Sequence, residues 1–165
     1  MSNTFKKVKA ITLLNAKTLE AAEADTQAVA DRVIVETYES DQLNLVCKYL
    51  TGTAETSNNA YIKVWGYIGQ FSATTNFPYD NHSVGTNNSD IANDEDNWIQ
   101  IGTHDISSGT ATFTATLFKV AGAAAATTYD AQFALNVTFP KIRVSAYEDG
   151  VASAKGRLTV VALIQ

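Results

Sequence analysis

Between Tyr129 and Phe139, apolar and polar positions alternate almost one for one. Tyr129, Ala131, Phe133, Leu135, Val137 and Phe139 share one parity, and Asp130, Gln132, Ala134, Asn136 and Thr138 share the other. Successive side chains of a β-strand point to opposite faces, so a strand sends the first set into a core and the second toward water or a partner. A helix would smear both sets around its circumference. The segment predicts a strand with Phe133 and Leu135 deep in the core.

The same period recurs along the chain. Leu43, Leu45, Cys47 and Tyr49 alternate with Asn44, Val46 and Lys48. Ile142, Val144 and Ala146 alternate with Lys141, Arg143, Ser145 and Tyr147. Leu158, Val160, Ala162 and Ile164 form the core parity of a closing strand, and Phe113, Ala115 and Leu117 do the same against Thr112, Thr114 and Thr116. RVIVETY, with Val33 and Val35, and KKVKAITLL add two more strands. Gly, Asn, Asp and Ser clusters (TGTAETSNN, DISSGT, EDGVASAKG) separate these runs. About eight strands so divided predict an all-β antiparallel β-sandwich, jelly-roll-like, in a single domain over residues 1–165.

Three segments stand outside the pattern. NAKTLEAAEADTQAVADR, residues 15–32, has good helix propensity. Its apolar positions are mostly small alanines, so it reads as an extended or partly helical connection. AGAAAATT, residues 121–128, reads as a flexible hairpin loop between two strands. The longest break is a loop at about 71–97, rich in Asn, Asp, Ser, Thr and Gly and containing Phe77-Pro78-Tyr79. A loop of that length in a compact domain is usually functional or mobile.

One strand is apolar on both sides. In AYIKVWGYIG, Ile62, Val64 and Ile68 take one face, and Tyr61, Trp65 and Tyr67 take the other with Lys63 among them. A core accounts for one face only. The aromatic face is expected to be covered by a loop, packed on another subunit or offered to a ligand. Tyr61, Trp65, Tyr67, Phe77, Tyr79 and Trp98 are therefore the candidate interface or ligand-facing residues.

Composition narrows the partners. At 165 residues with 45% hydrophobic and 18% charged positions, the chain is long and apolar enough for one full core, and its low charge suggests a surface partly covered by partners. A net charge of −5 offers no basic nucleic-acid groove. The cations are scattered except for Lys6, Lys7 and Lys9, read as a solvated strand edge. No stretch is long enough to span a membrane as a helix, and the N-terminus lacks a signal-peptide core, so synthesis in a cytoplasm is expected.

Candidate chemistry is sparse. Cys47 is the one cysteine and falls on an apolar parity, which reads as a small buried hydrophobe. His82 and His104 lie in predicted loops without a nucleophile-elbow sequence nearby. Asp90, Asn93, Asp94, Glu95 and Asp96 crowd one loop, but their spacing is not that of an EF-hand, and a solvated acidic loop is the expectation. No phosphate-cradling Gly-rich loop opens a helix. The expectation is a non-enzyme with no cofactor and no metal.

Three stretches carry a resemblance. ADTQAVADRVIVETYESDQLNLVCKYLTG places a small-residue segment before a short strand, a turn with Tyr and a strand of alternating Leu. NDEDNWIQIGTHDISSGTATFTATLF sets an Asn-Trp pair before apolar residues and a Gly/Thr-rich turn. FPKIRVSAYEDGVASAKGRLTVVALIQ closes with an Arg-Val strand, a glycine-bearing turn and a final Leu/Val strand. Over roughly residues 25–165 this order resembles small tailed-phage virion structural proteins with a β-sandwich fold. The long Asn/Asp insertion at 72–97 and the Ala/Glu-rich start depart from that pattern. The resemblance implies a virion protein made in the host cytoplasm, in a family whose sandwiches serve as head decorations, collar or neck parts, and tail or fibre modules. The role expected here is a capsid decoration or head/neck accessory protein that binds the assembled particle. It implies other virion proteins as partners, in a homo-oligomer or symmetric array. The alternative is a carbohydrate- or receptor-binding module of a tail or surface structure, using Trp65, Tyr67, Phe77, Tyr79 and Trp98.

Overall fold

The alternating segments form strands, and their apolar parities face one another. The computed structural model describes residues 8–20, 33–37, 40, 42–53, 58–67, 98–105, 112–136, 139–149 and 155–165. In chain order the strands are β1 (Lys9–Thr18), β2 (Val35–Glu36), β3 (Gln42–Leu50), β4 (Asn59–Tyr67), β5 (Trp98–Gln100), β6 (Gly102–Asp105), β7 (Thr112–Ala115), β8 (Leu117–Ala121), β9 (Thr128–Asn136), β10 (Lys141–Glu148) and β11 (Arg157–Ile164). All the pairings are antiparallel.

The first sheet has the order β1-β11-β3-β9, and the second β2-β10-β4-β5 with β8 also on β4. β5 and β8 share one edge of β4. Gln100 stands opposite Trp65 and Leu117 opposite Lys63, with Ile101 donating to the Val64 carbonyl between them at 2.9 Å. The two ladders are thus in phase, one strand line interrupted by an insertion at 102–116. Within that insertion β6 pairs only with β7 among the described residues. Thr116 closes it by donating to the Ile101 carbonyl at 2.9 Å.

With β5 and β8 counted as one line and the β6-β7 pair set aside, the described strands make eight lines. The first pairs the eighth, the second the seventh, the third the sixth and the fourth the fifth. That nesting is a long hairpin wrapped around itself, the jelly roll. It needs inward parity from both sheets, which Leu43, Leu45, Ile62, Val64, Ile142, Val144, Leu158 and Val160 supply, all fully or nearly fully buried. Each such side chain contributes about 1.5–3 kcal/mol of transfer free energy.

An acidic side chain at the end of β10 also lies between the sheets. Glu148 is 2% exposed. Its Oε1 accepts from the Tyr49 hydroxyl and, at 3.3 Å, from Asn58 Nδ2, while Oε2 accepts from the Gly156 amide at 2.9 Å. A buried carboxylate is tolerated only when its oxygens are so satisfied. The donors come from β3 and from the segments entering β4 and β11, so the cluster fastens both sheets at one end. A Cβ at Gly156 would come within 2.6 Å of the Tyr49 ring and 2.9 Å of Glu148, which makes glycine a requirement of the cluster.

Four expectations need correction. Phe133 faces inward but is only half-buried, because β9 is the outer strand of its sheet; Leu135 is buried as expected. Leu117 is 39% exposed. It belongs to β8 rather than to a continuous strand with Phe113 and Ala115, and the inward residues of β8 are Phe118 and Val120. Val33 is 37% exposed and precedes β2, which begins only at Val35. Residues 121–128 do not form a flexible hairpin. They cross from the second sheet to the first and are pinned, with Gly122 N bonding to Asn58 O, Ala126 N to Gly52 O and Thr51 Oγ1 to Ala124 O. The start of the 15–32 segment continues β1 through Thr18, and its remainder from 21 lies outside the described residues.

Candidate interaction face on the second sheet

The outward parity of the second sheet gathers the aromatics. β10 and β4 pair so that Tyr147 meets Tyr61, Ser145 meets Lys63, Arg143 meets Trp65, and Lys141 precedes this ladder near Tyr67. Across β4, Tyr61 meets Lys119, Trp65 meets Gln100, and Tyr67 meets Trp98. Cross-strand neighbours on one face lie close enough to interact.

At one end of the face the rings of Tyr61 and Tyr147 stack at 5.1 Å with an interplanar angle of 18°. Lys119 Nζ sits 6.0 Å from the Tyr61 ring centre and Lys63 Nζ 5.2 Å from that of Tyr147. β8 and β10 flank β4 from opposite sides, so Tyr61 is held between Lys119 and Tyr147. Each such cation–π contact at a partly exposed site is worth about 0.5–1 kcal/mol. Asp149 anchors the end of the row. Its carboxylate accepts from the Asn59 amide at 2.6 Å, from Asn59 Nδ2 at 2.7 Å and from the Tyr61 hydroxyl at 3.2 Å. Partial burial pushes the Asp149 carboxyl up, and the hydrogen bonds from Asn59 and Tyr61 outweigh it, leaving it below its ordinary value. Tyr61 is pushed above the usual phenol value by desolvation and then by the Asp149 charge.

The other end is closed. Trp65 is 3% exposed although it faces away from the core, and its indole donates to Ser145 Oγ at 3.0 Å. Arg143 and Gln100 beside it are also buried. Gln100 Nε2 has no hydrogen-bond partner among the described residues. Tyr67 packs on Trp65, and Lys141 Nζ lies 5.5 Å from the Tyr67 ring centre.

Among the described residues the face carries more cations than anions. Of the chain's 12 Lys and Arg, Lys63, Lys119, Lys141 and Arg143 stand here, against Glu36 and Asp149 among the described acidic residues. Of the sequence candidates, Tyr61, Trp65 and Tyr67 come together on this face. Trp98 joins the ladder opposite Tyr67 by its backbone, and its side chain, like Phe77 and Tyr79, lies outside the described part. Sequence reasoning missed Tyr147, Lys119, Lys141, Arg143 and Asp149. Their outward parity was readable, but only the strand register brings them beside Tyr61.

Other candidate chemistry is unremarkable in the described residues. Cys47 is fully buried, and burial pushes its thiol up to about 12. His104 belongs by its backbone to β6 rather than to a loop, and His82 and the acidic run 90–96 lie outside the described residues. Among the described residues no three His, Cys, Asp or Glu side chains converge as a metal site would require. No helix there is long and apolar enough to cross a membrane.

No family model, no curated protein and no solved structure matches this chain. The class it belongs to is therefore set by its own topology, an antiparallel jelly-roll β-sandwich.

Proposed function

We propose that this chain is a non-enzymatic virion structural protein, a capsid decoration or head/neck accessory protein that docks on the assembled particle through the outward face of its second sheet. The observation that carries the reading is the Lys119–Tyr61–Tyr147–Lys63 row. Its ammonium groups are held in place by rings, so less side-chain freedom remains to be lost on binding. With Lys141 they outnumber Glu36 and Asp149 among the described residues of this face, on a molecule of net charge −5, which suits an acidic protein surface. Capsid and lectin domains are among the hosts of the jelly roll, which makes the virion setting compatible with the fold without following from it.

The carbohydrate- or receptor-binding reading is the weaker one. Sugar stacking needs an open ring face. Of the rings that reading uses, Trp65 is 3% exposed and Lys141 Nζ lies over the Tyr67 ring at 5.5 Å, while the side chains of Phe77, Tyr79 and Trp98 lie outside the described residues. The test is co-sedimentation with particles purified from the source of the chain, followed by electron microscopy to locate it. Lys63→Glu with Lys119→Glu is expected to abolish binding while leaving the circular dichroism unchanged, and wild-type binding is expected to weaken with added salt. No association with particles, together with specific binding on a glycan array, would replace this reading by the second.

A further inference from the structure

A sandwich of two open sheets has four edges, and three of them here are closed to further pairing. β1 has register shifts at two places, one of them beside Ala16 at φ 45°, and it carries Lys9 and Lys17. β2 is only two residues long. The edge made by β5 and β8 is interrupted by the 102–116 insertion. Bulges, lysines and short or broken strands are the devices by which proteins blunt an edge.

β9 has none of these devices. It pairs with β3 over its whole length, Thr128 to Asn136, in unbroken register. It holds no glycine, proline or lysine, and Asp130 is its one charge. Thr51 N donates to Thr127 O on the next rung, so odd positions turn their backbone groups toward β3. The even positions, Thr128, Asp130, Gln132, Ala134 and Asn136, turn theirs away from β3, to a side on which no strand pairs among the described residues. The inward side chains Tyr129, Ala131 and Phe133 stay only half-buried along this edge, although they pack against the core.

We propose that β9 is a self-association edge. Two copies pair β9 to β9 antiparallel about a two-fold axis at Gln132, which joins two four-stranded sheets into one of eight. The sequence of the strand accommodates a second copy of this chain as the occupant, because Asp130 is its one charge and a register centred on Gln132 keeps the two Asp130 side chains apart. Gln132 meets Gln132, Asp130 meets Ala134 of the second copy, and Thr128 meets Asn136, so no like charges face each other. On the inward parity Tyr129 meets Leu135, and the small Ala131 meets the large Phe133. An isologous contact of this kind closes on itself and stops at two copies. It uses the sheet opposite the proposed docking face and stands whether or not the virion reading does.

Gln132→Cys is expected to form a disulfide-linked dimer under mild oxidation, since directly paired residues of an antiparallel ladder have Cα atoms about 5.5 Å apart. Asp130→Cys should not cross-link to itself but should cross-link to Ala134→Cys when the two are mixed. Gln132→Pro removes an N–H that faces the open side, a position where an edge strand tolerates proline. It should keep the melting temperature and abolish the dimer seen by sedimentation velocity for the wild type. A wild type that stays monomeric across the concentration series overturns the proposal. So does Asp130→Cys linking to itself as readily as Gln132→Cys does. If Gln132→Pro fails to fold, the cysteine pairs decide the register alone.

Discussion

Single residues carry the most definite consequences of the fold. Cys47 lies on the inward parity of β3, and its thiol is pushed up to about 12 by burial. Thiolate, not thiol, attacks disulfide reagents. Cys47 should therefore stay unmodified by an aromatic disulfide reagent at pH 8 and react only as fast as the protein unfolds; a fast native-state reaction would contradict its placement. The Glu148 cluster is equally definite. Tyr49→Phe removes one donor from a buried carboxylate and should cost about 1–3 kcal/mol in urea unfolding. Gly156→Ala should destabilise as well, since Tyr49, Glu148 and the Leu50 carbonyl leave no room for its methyl group. Asp149 sets a pH dependence. A folded-state value below the ordinary one makes its contribution present above the ordinary carboxylate range and lost as pH falls through the folded value. Asp149→Asn should flatten the acid limb of melting temperature against pH. A limb unchanged by the substitution would show that Asp149 does not shape it. The parity of Cys47 was legible from its neighbours in sequence. Glu148 was not, because alternation places an acid at a strand end without saying which tyrosine and which amide will meet it.

At the scale of elements, alternation found the strands and missed their edges. Leu43, Leu45, Leu158 and Val160 were legible because β3 and β11 lie inside the first sheet, covered on both flanks. Phe133 follows the same rule of parity but sits on an outer strand, and position within a sheet is not encoded in period two. Leu45→Ala should cost about 2–5 kcal/mol through lost transfer energy and a cavity, and Phe133→Ala clearly less. Equal losses in chemical unfolding would mean that the outer strand is covered after all. Leu117 misled for a different reason. The Thr/apolar alternation runs without a break from Thr112 to Leu117, yet the strand pairing changes at Thr116, where the chain leaves the insertion and rejoins β4. Because the ladders on either side are in phase, joining Ile101 directly to Leu117 should leave a folded protein of similar melting temperature. A molten or aggregated product would show that β6 and β7 brace the sandwich.

The whole molecule was legible in outline: an antiparallel sandwich of about eight lines, with its core parities largely assigned. What the sequence withheld was the nesting of first with eighth and second with seventh, since pairing between distant strands leaves no local trace. It withheld the composition of the aromatic face for the same reason, because Tyr147 and Lys119 reach Tyr61 only through that nesting.

The nesting also sets an order in time. Lines four and five are close neighbours in the sheet, and each further pair encloses the last, ending with Lys9 against Ile164. Strands with such distant partners close slowly. On a ribosome adding about 5–20 residues per second, Lys9 waits on the order of 10–30 s for its partner to be made. β11 lies between β1 and β3, so during that wait the first sheet has a vacant central position. Assembly is therefore expected to run from the middle of the chain outward, with β1, the first of the described strands to be made, fastened last.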